Sequence, residues 1–109
     1  MNKISTHVLD TVLGRPAAGV RLSLEMRSGN AWVAVGEGVT DANGRCQDLT
    51  PNPQQATYRL AFQTGDYLKQ QGRSSLYPEV AITFAITADA HYHLPLLLSD
   101  NSYTTYRGS

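Results

Sequence analysis

The stretch GVRLSLEMR, residues 19–27, alternates strictly: Val20, Leu22, Leu24 and Met26 fall on one side, and Arg21, Ser23, Glu25 and Arg27 on the other. A period of two is the signature of a β-strand with one face in a core and one in water, because successive side chains of an extended backbone point to opposite faces. Downstream, Ser28-Gly29-Asn30 supplies a turn, and AWVAVGEGVT, residues 31–40, returns as a second strand in which Gly36 and Gly38 predict a bend or bulge. Asp41-Ala42-Asn43-Gly44 predicts a tight turn, since Asn-Gly tolerates positive φ, and Arg45-Cys46-Gln47 starts a short strand just beyond it.

The same punctuation continues. TPNPQQ (50–55) is a proline-bearing loop, and ATYRLAFQT (56–64) is a strand with Tyr58, Leu60 and Phe62 on one face. TGDYLKQQG (64–72) is the one helix candidate, at most two turns long, with Thr64 or Asp66 as its cap and Gly72 as its stop. EVAITFAIT (79–87) aligns Val80, Ile82, Phe84 and Ile86. HYHLPLLLS (91–99) and SYTTYRGS (102–109) form a last hairpin through Asp100 and Asn101. Its apolar run Leu94–Leu98 predicts burial on both faces, with Pro95 in conflict, because a proline cannot donate to a ladder. Near the start, KISTHVLD (3–10) places Ile4, Thr6 and Val8 on one side and Ser5, His7 and Leu9 on the other. Seven or eight short strands at intervals of roughly 8–12 residues predict an all-β sandwich in a single domain, 1–109.

Nine Lys and Arg balance nine Asp and Glu, for a formal net charge of zero. The broad basic footprint that nucleic acid or an anionic membrane demands is therefore lacking. Cys46 is the only cysteine, which rules out an internal disulfide and fits a reducing compartment. The first residues lack a basic segment followed by an apolar one, and no apolar stretch approaches about 18 residues. The expectation is a soluble, cytoplasmic protein.

The period-two rule gathers His91, His93, Pro95 and Leu97 on one strand face, so that face carries two imidazoles. With His7 as a third ligand, His-x-His could chelate zinc, but a structural site would lack its fourth ligand. Arg45 stands at a strand mouth, and no serine is framed by G-x-S-x-G.

Three stretches, STHVLDTVLGRPAAGV (5–20), TDANGRCQDL (40–49) and YHLPLLLSDNSYTTYRGS (92–109), resemble the transthyretin-related family, and in particular its 5-hydroxyisourate hydrolase branch, along essentially the whole chain. The most specific element is Tyr106-Arg107-Gly108-Ser109, the tetrapeptide that separates the enzymes from the hormone-carrying transthyretins. The resemblance implies a prealbumin-like sandwich of two four-stranded sheets with one short helix. It implies a homotetramer, a dimer of dimers around a central channel, with active sites at the dimer–dimer interface. It also implies a cofactor-free hydrolase that opens 5-hydroxyisourate, a purine-derived small molecule, to 2-oxo-4-hydroxy-4-carboxy-5-ureidoimidazoline in urate degradation.

Residue by residue, the resemblance puts His7 and His93 at the two catalytic histidine positions and Arg45 at the catalytic arginine, leaving His91 unassigned. Tyr106, Arg107, Gly108 and Ser109 are expected to bind substrate: Tyr106 offers a flat wall, Gly108 a tight turn, and Ser109 its hydroxyl and a terminal carboxylate. A nearby Arg45 should hold at least one of His7 and His93 neutral near pH 7. His7 would then activate water while His93 orients or protonates the ring, or the reverse. Asp100 departs from the family pattern, which has proline after Leu-Leu-Leu-Ser. The carrier branch would hold Lys, Glu and Thr in place of His7, Arg45 and His93. A non-enzymatic small-molecule carrier and a histidine-based metal-binding module are the alternative readings.

Overall fold

In a computed structural model that describes residues 2–109, the alternation at residues 19–27 becomes strand β3 (Arg21–Ser28), the inner partner of β4 (Ala31–Val39) and β6 (Thr57–Phe62). With β7 (Val80–Ala85) beyond β6, these make an antiparallel sheet in the order β4-β3-β6-β7. The register passes from Leu24↔Gly36 to Glu25↔Ala34, so Val35 is the extra residue of a bulge beside the glycine that predicted one. On the solvent side, Glu25 and Arg59 pair across the ladder at 2.8 Å, and the Arg59 guanidinium covers the Trp32 ring at 4.3 Å.

The second sheet runs β2-β1-β8-β9, from β2 (Arg15–Pro16), β1 (Lys3–Asp10), β8 (His91–Leu98) and β9 (Tyr103–Thr105). It has five strands rather than the expected four, because β5 (Arg45–Cys46) also pairs with β1. Strand β1 meets β2 at Leu9 and Asp10 and β5 at Thr6 and His7, so the two short strands follow one another along the same edge. The turn at Asp41–Gly44 is consequently not a β4–β5 hairpin. It carries the chain from one sheet to the other, and only Gly44, not Asn43, has positive φ. The pairing of β1 with β8 is parallel, between the two most distant long strands of the chain.

The core lies between the sheets: Leu22, Leu24, Tyr58, Leu60, Phe62 and Val80 from one, and Ile4, Val8, Tyr92, Leu94, Leu96 and Leu98 from the other, all buried. Thr6 joins them because its hydroxyl donates to the Leu94 carbonyl at 2.5 Å. The conflict at Pro95 resolves through direction. Gly108 N–H donates to the His93 carbonyl at 2.8 Å, so His93, Pro95 and Leu97 turn their backbone groups toward β9. The missing Pro95 donor falls where the β8–β9 ladder stops, between Leu96↔Thr105 and the isolated His93↔Gly108 bridge, and the Pro95 carbonyl takes the Thr105 hydroxyl instead at 2.8 Å. Proline thus releases Tyr106 and Arg107 from the sheet.

Helix α1 (Thr64–Gln70) starts without the expected side-chain cap; Gln63 is the N-cap residue and Thr64 is buried within the first turn. Its end follows expectation. Gly72, at φ +73°, donates to the Lys69 carbonyl and Arg73 to the Leu68 carbonyl, a Schellman arrangement. That ending delivers Arg73 to Asp10, which is 1% exposed: Nη1 to Oδ2 is 2.6 Å, and Tyr67 donates to the same oxygen at 2.8 Å. Asp10 Oδ1 accepts from Val12 and Leu13 N–H, both at 3.1 Å. Asp100 closes the cluster against Arg73 at 2.6 Å, so the residue that departs from the family pattern has a structural partner.

Burial works against the ionised Asp10, but the bonds from Arg73, Leu13 and Tyr67 outweigh it and hold the carboxyl below its usual range. Its stabilising contribution is therefore complete above the unfolded carboxylate value, about 3.9, and is lost as pH falls through the lower folded value. Arg73→Ala is expected to destabilise the fold by about 3–5 kcal/mol at pH 7, because it strands a buried carboxylate. In denaturant titrations the deficit should shrink below about pH 4, where Asp10 takes a proton; a deficit independent of pH would contradict this.

Candidate active site

Strand β1 directs Ser5 and His7 to the face away from the core, and its neighbours determine what meets them. In the parallel ladder Lys3 lies opposite His91, Ser5 opposite His93 and His7 opposite Pro95. On the other edge His7 lies opposite Arg45. His93 is therefore two residues along and one strand across from His7, a separation of about 8 Å between backbone positions by standard strand geometry.

Gly44 makes the Arg45 edge possible. Its φ of +76° suits glycine, its carbonyl accepts the Val8 N–H at 2.8 Å, and a Cβ there would sit 2.4 Å from the Val8 carbonyl oxygen. Asp41 secures the turn, with Oδ1 accepting the N–H groups of Arg45 (3.0 Å) and Asn43 (2.9 Å), and these bonds lower its pKa.

Ser5 is only 5% exposed, and its hydroxyl lies 2.7 Å from His91 Nε2 and 2.8 Å from His93 Nδ1. The half-buried His93 has its pKa lowered, first by burial and then by the charges of His91, Arg45 and His7. A neutral His93 matches the expectation, but desolvation, rather than Arg45, is the leading cause.

Gly108 returns the last segment to His93, and a Cβ there would come within 2.5 Å of His93 Cδ2 and 3.2 Å of Pro95 Cγ. Tyr106, 53% exposed, and Arg107 line a mainly apolar cavity of about 250 Å³ together with His93, Tyr92, Leu94 and Phe84. The Arg107 guanidinium covers the Tyr92 ring at 4.8 Å and so anchors the segment. Ser109 is exposed.

His7, Arg45, His93 and Gly108 are thus gathered on one face of one sheet, with Tyr106 at its border and Arg107 turned toward Tyr92. Such an array can accept a proton at a neutral imidazole, donate one from a second, and face a developing oxyanion with a guanidinium. Among the described residues, no group of three or more His, Cys, Asp or Glu side chains is arranged to hold a metal ion, and no helix is long and apolar enough to cross a membrane. Ser5 was on the correct face by period two, but its importance depends on the β1–β8 register, which no local pattern encodes.

The family model described as HIUase/Transthyretin family matches residues 4–108. A 5-hydroxyisourate hydrolase of Mus musculus is 44% identical over 111 residues, covering 97% of this chain and 94% of that protein. The structure of Klebsiella pneumoniae 5-hydroxyisourate hydrolase superposes with a TM-score of 0.90 at 36% identity, covering 100% of both chains. Transthyretin from Sparus aurata superposes with a TM-score of 0.92 at 32% identity, covering 96% of this chain and 95% of its own. Overall shape does not separate enzyme from transthyretin; the residues on the site face must do so.

Gly108→Ala is expected to part the last segment from the His93 ring, hydrate the imidazole and raise its titration midpoint toward the ordinary value. NMR titration of the histidine side chains measures this, and an unchanged midpoint would contradict the packing described.

Proposed function

From the chain's membership of the HIUase/transthyretin family, we infer that it is a hydrolase acting on 5-hydroxyisourate in urate degradation. The observation that carries the reading to particular residues is the convergence of His7, Arg45 and His93 through two different strand pairings. In this proposal water adds to a ring lactam carbonyl. His93, kept neutral chiefly by burial, takes a proton from the water as its oxygen bonds to the carbonyl carbon. Arg45 faces the oxyanion that forms, with donors in a rigid fork. The carbon–nitrogen bond then breaks, and His7 gives a proton to the departing nitrogen, leaving a ring-opened acid. Of the two role assignments open in the sequence, this one uses the lowered pKa of His93.

Tyr106, Arg107, Gly108 and Ser109 form the substrate-binding segment. Tyr106 supplies a flat surface for a purine-like ring, Gly108 allows the approach to His93, and Arg107 holds the segment to Tyr92. The site face is open in a single chain, with Arg45 and Tyr106 both exposed. A homotetramer, built as a dimer of dimers with sites at the dimer–dimer interface, would close it, and a cytoplasmic location completes the proposal. A carrier with the same fold would bind without turnover, and two imidazoles beside a guanidinium are poorly suited to mere storage.

The test is the ultraviolet decay of freshly generated 5-hydroxyisourate. The protein should accelerate it well above the spontaneous rate, and His93→Asn should lower kcat by about 10²–10⁴. Because the His93 pKa is lowered, the acid limb of the kcat profile should lie below the ordinary histidine value of about 6.5 and disappear in His93→Asn. Arg45→Met should move that limb upward, since it removes a positive charge that disfavours protonation. No acceleration by the wild-type protein would overturn the assignment. Sedimentation should give a species of four chains, and a stable, active monomer would refute the interface proposal.

A further inference from the structure

His91 and Ser5 have no place in the chemistry above, yet they share a hydrogen-bonded path with His93. The Ser5 hydroxyl is 2.7 Å from His91 Nε2 and 2.8 Å from His93 Nδ1. A hydroxyl has one proton, so Ser5 donates to one ring and accepts from the other. When His91 is cationic, its Nε2–H donates to Ser5, Ser5 donates to His93 Nδ1, and the proton of a neutral His93 is confined to Nε2. In that form Nε2 can only donate. When His91 is neutral with Nε2 unprotonated, Ser5 donates to it, His93 Nδ1–H donates to Ser5, and His93 Nε2 is free to accept.

We propose that Ser5 and His91 are positioning residues that set the tautomer of His93, and that the same path carries away the proton His93 gains. This rests on His93 as the base in the proposed function. After His93 Nε2 takes a proton, its Nδ1 proton passes to Ser5 Oγ while the Ser5 proton passes to His91 Nε2. One proton enters at His93 and one arrives at His91, with no net change at Ser5. His93 is left neutral, and the charge rests on His91, which is exposed and readily hydrated, whereas His93 is half-buried. The ring centroids are 6.1 Å apart, too far for direct transfer, so the hydroxyl is required.

The register sets Lys3 opposite His91 and Arg45 opposite His7, which lies two residues from Ser5 on the same strand; Asp41 bonds the Arg45 N–H, Arg107 lies over Tyr92, and Asp89 precedes β8 in the chain. Arg45 and His7 disfavour a proton on His93 and so favour its passage to the outer imidazole, whereas Lys3 opposes this from beside His91, which solvent screens.

Long-range proton–nitrogen NMR of the full-length ¹⁵N-labelled chain, without substrate, reads each ring's tautomer directly. On acidification, His93 is expected to switch from Nδ1–H to Nε2–H before it becomes doubly protonated. The switch should vanish in Ser5→Ala and His91→Ala and persist in Ser5→Thr, with circular dichroism confirming that each variant is folded. Ser5→Ala should also lower kcat about tenfold or more and displace the acid limb, with Ser5→Thr restoring both. If His93 keeps one tautomer throughout, or takes a proton before His91 does, the coupling is refuted. The switch without hydrolysis would overturn the proposed function alone, whereas hydrolysis without the switch would overturn only this inference.

Discussion

The parallel ladder between β1 and β8 is the constraint on which the site depends. It sets Ser5 opposite His93 and Lys3 opposite His91, and leaves the other edge of β1 free for Arg45. A slip of one residue would turn every side chain of β1 to the opposite face, sending Ser5 and His7 into the core and Ile4, Thr6 and Val8 into water. Burial of Ile4 and Val8 and the Thr6 hydrogen bond to Leu94 therefore fix the register from behind. Core packing and site geometry are two faces of one alignment.

The ends of that ladder are held by different means. At the Asp10 end, a buried carboxylate collects Arg73, Tyr67 and two backbone N–H groups, tying the helix exit and, through Asp100, the β8–β9 turn to the first strand. At the His91 end, polar side chains on the outer face fill the role, and Gly108 brings the last segment against His93. Pro95 separates the two regimes by removing one ladder donor and freeing Tyr106 and Arg107 to border a cavity. A residue that conflicts with a central strand is thus the point at which the sheet opens toward its site.

Much of this was legible in the chain itself. Alternation located β1, β3, β6, β7 and β8, placed His91 and His93 on one face and His7 opposite Val8, and Gly72 marked the helix stop. The resemblance to a family placed Arg45 beside the histidines, which local pattern could not do. What escaped was long-range or cooperative. Asp41–Gly44 reads as a hairpin turn, but the Gly44 carbonyl accepts the Val8 N–H, and the residues that follow pair with Thr6 and His7, which recruits β5 to β1. Thr64 has the chemistry of a helix cap yet is buried inside the first turn. Asp100 looked like a departure until Arg73 appeared beside it, and Ser5 had no meaning before the β1–β8 register was known.

The central claim is that His7 and His93 serve one ligand site bordered by Tyr106, and titrating ¹⁵N-labelled protein with a purine-dione resistant to ring opening tests it most directly. Both imidazoles and the Tyr106 ring are expected to shift along a single saturation curve, while Trp32, on the other sheet, stays unchanged. Shifts confined to one histidine, or separate curves for His7 and His93, would contradict a shared site.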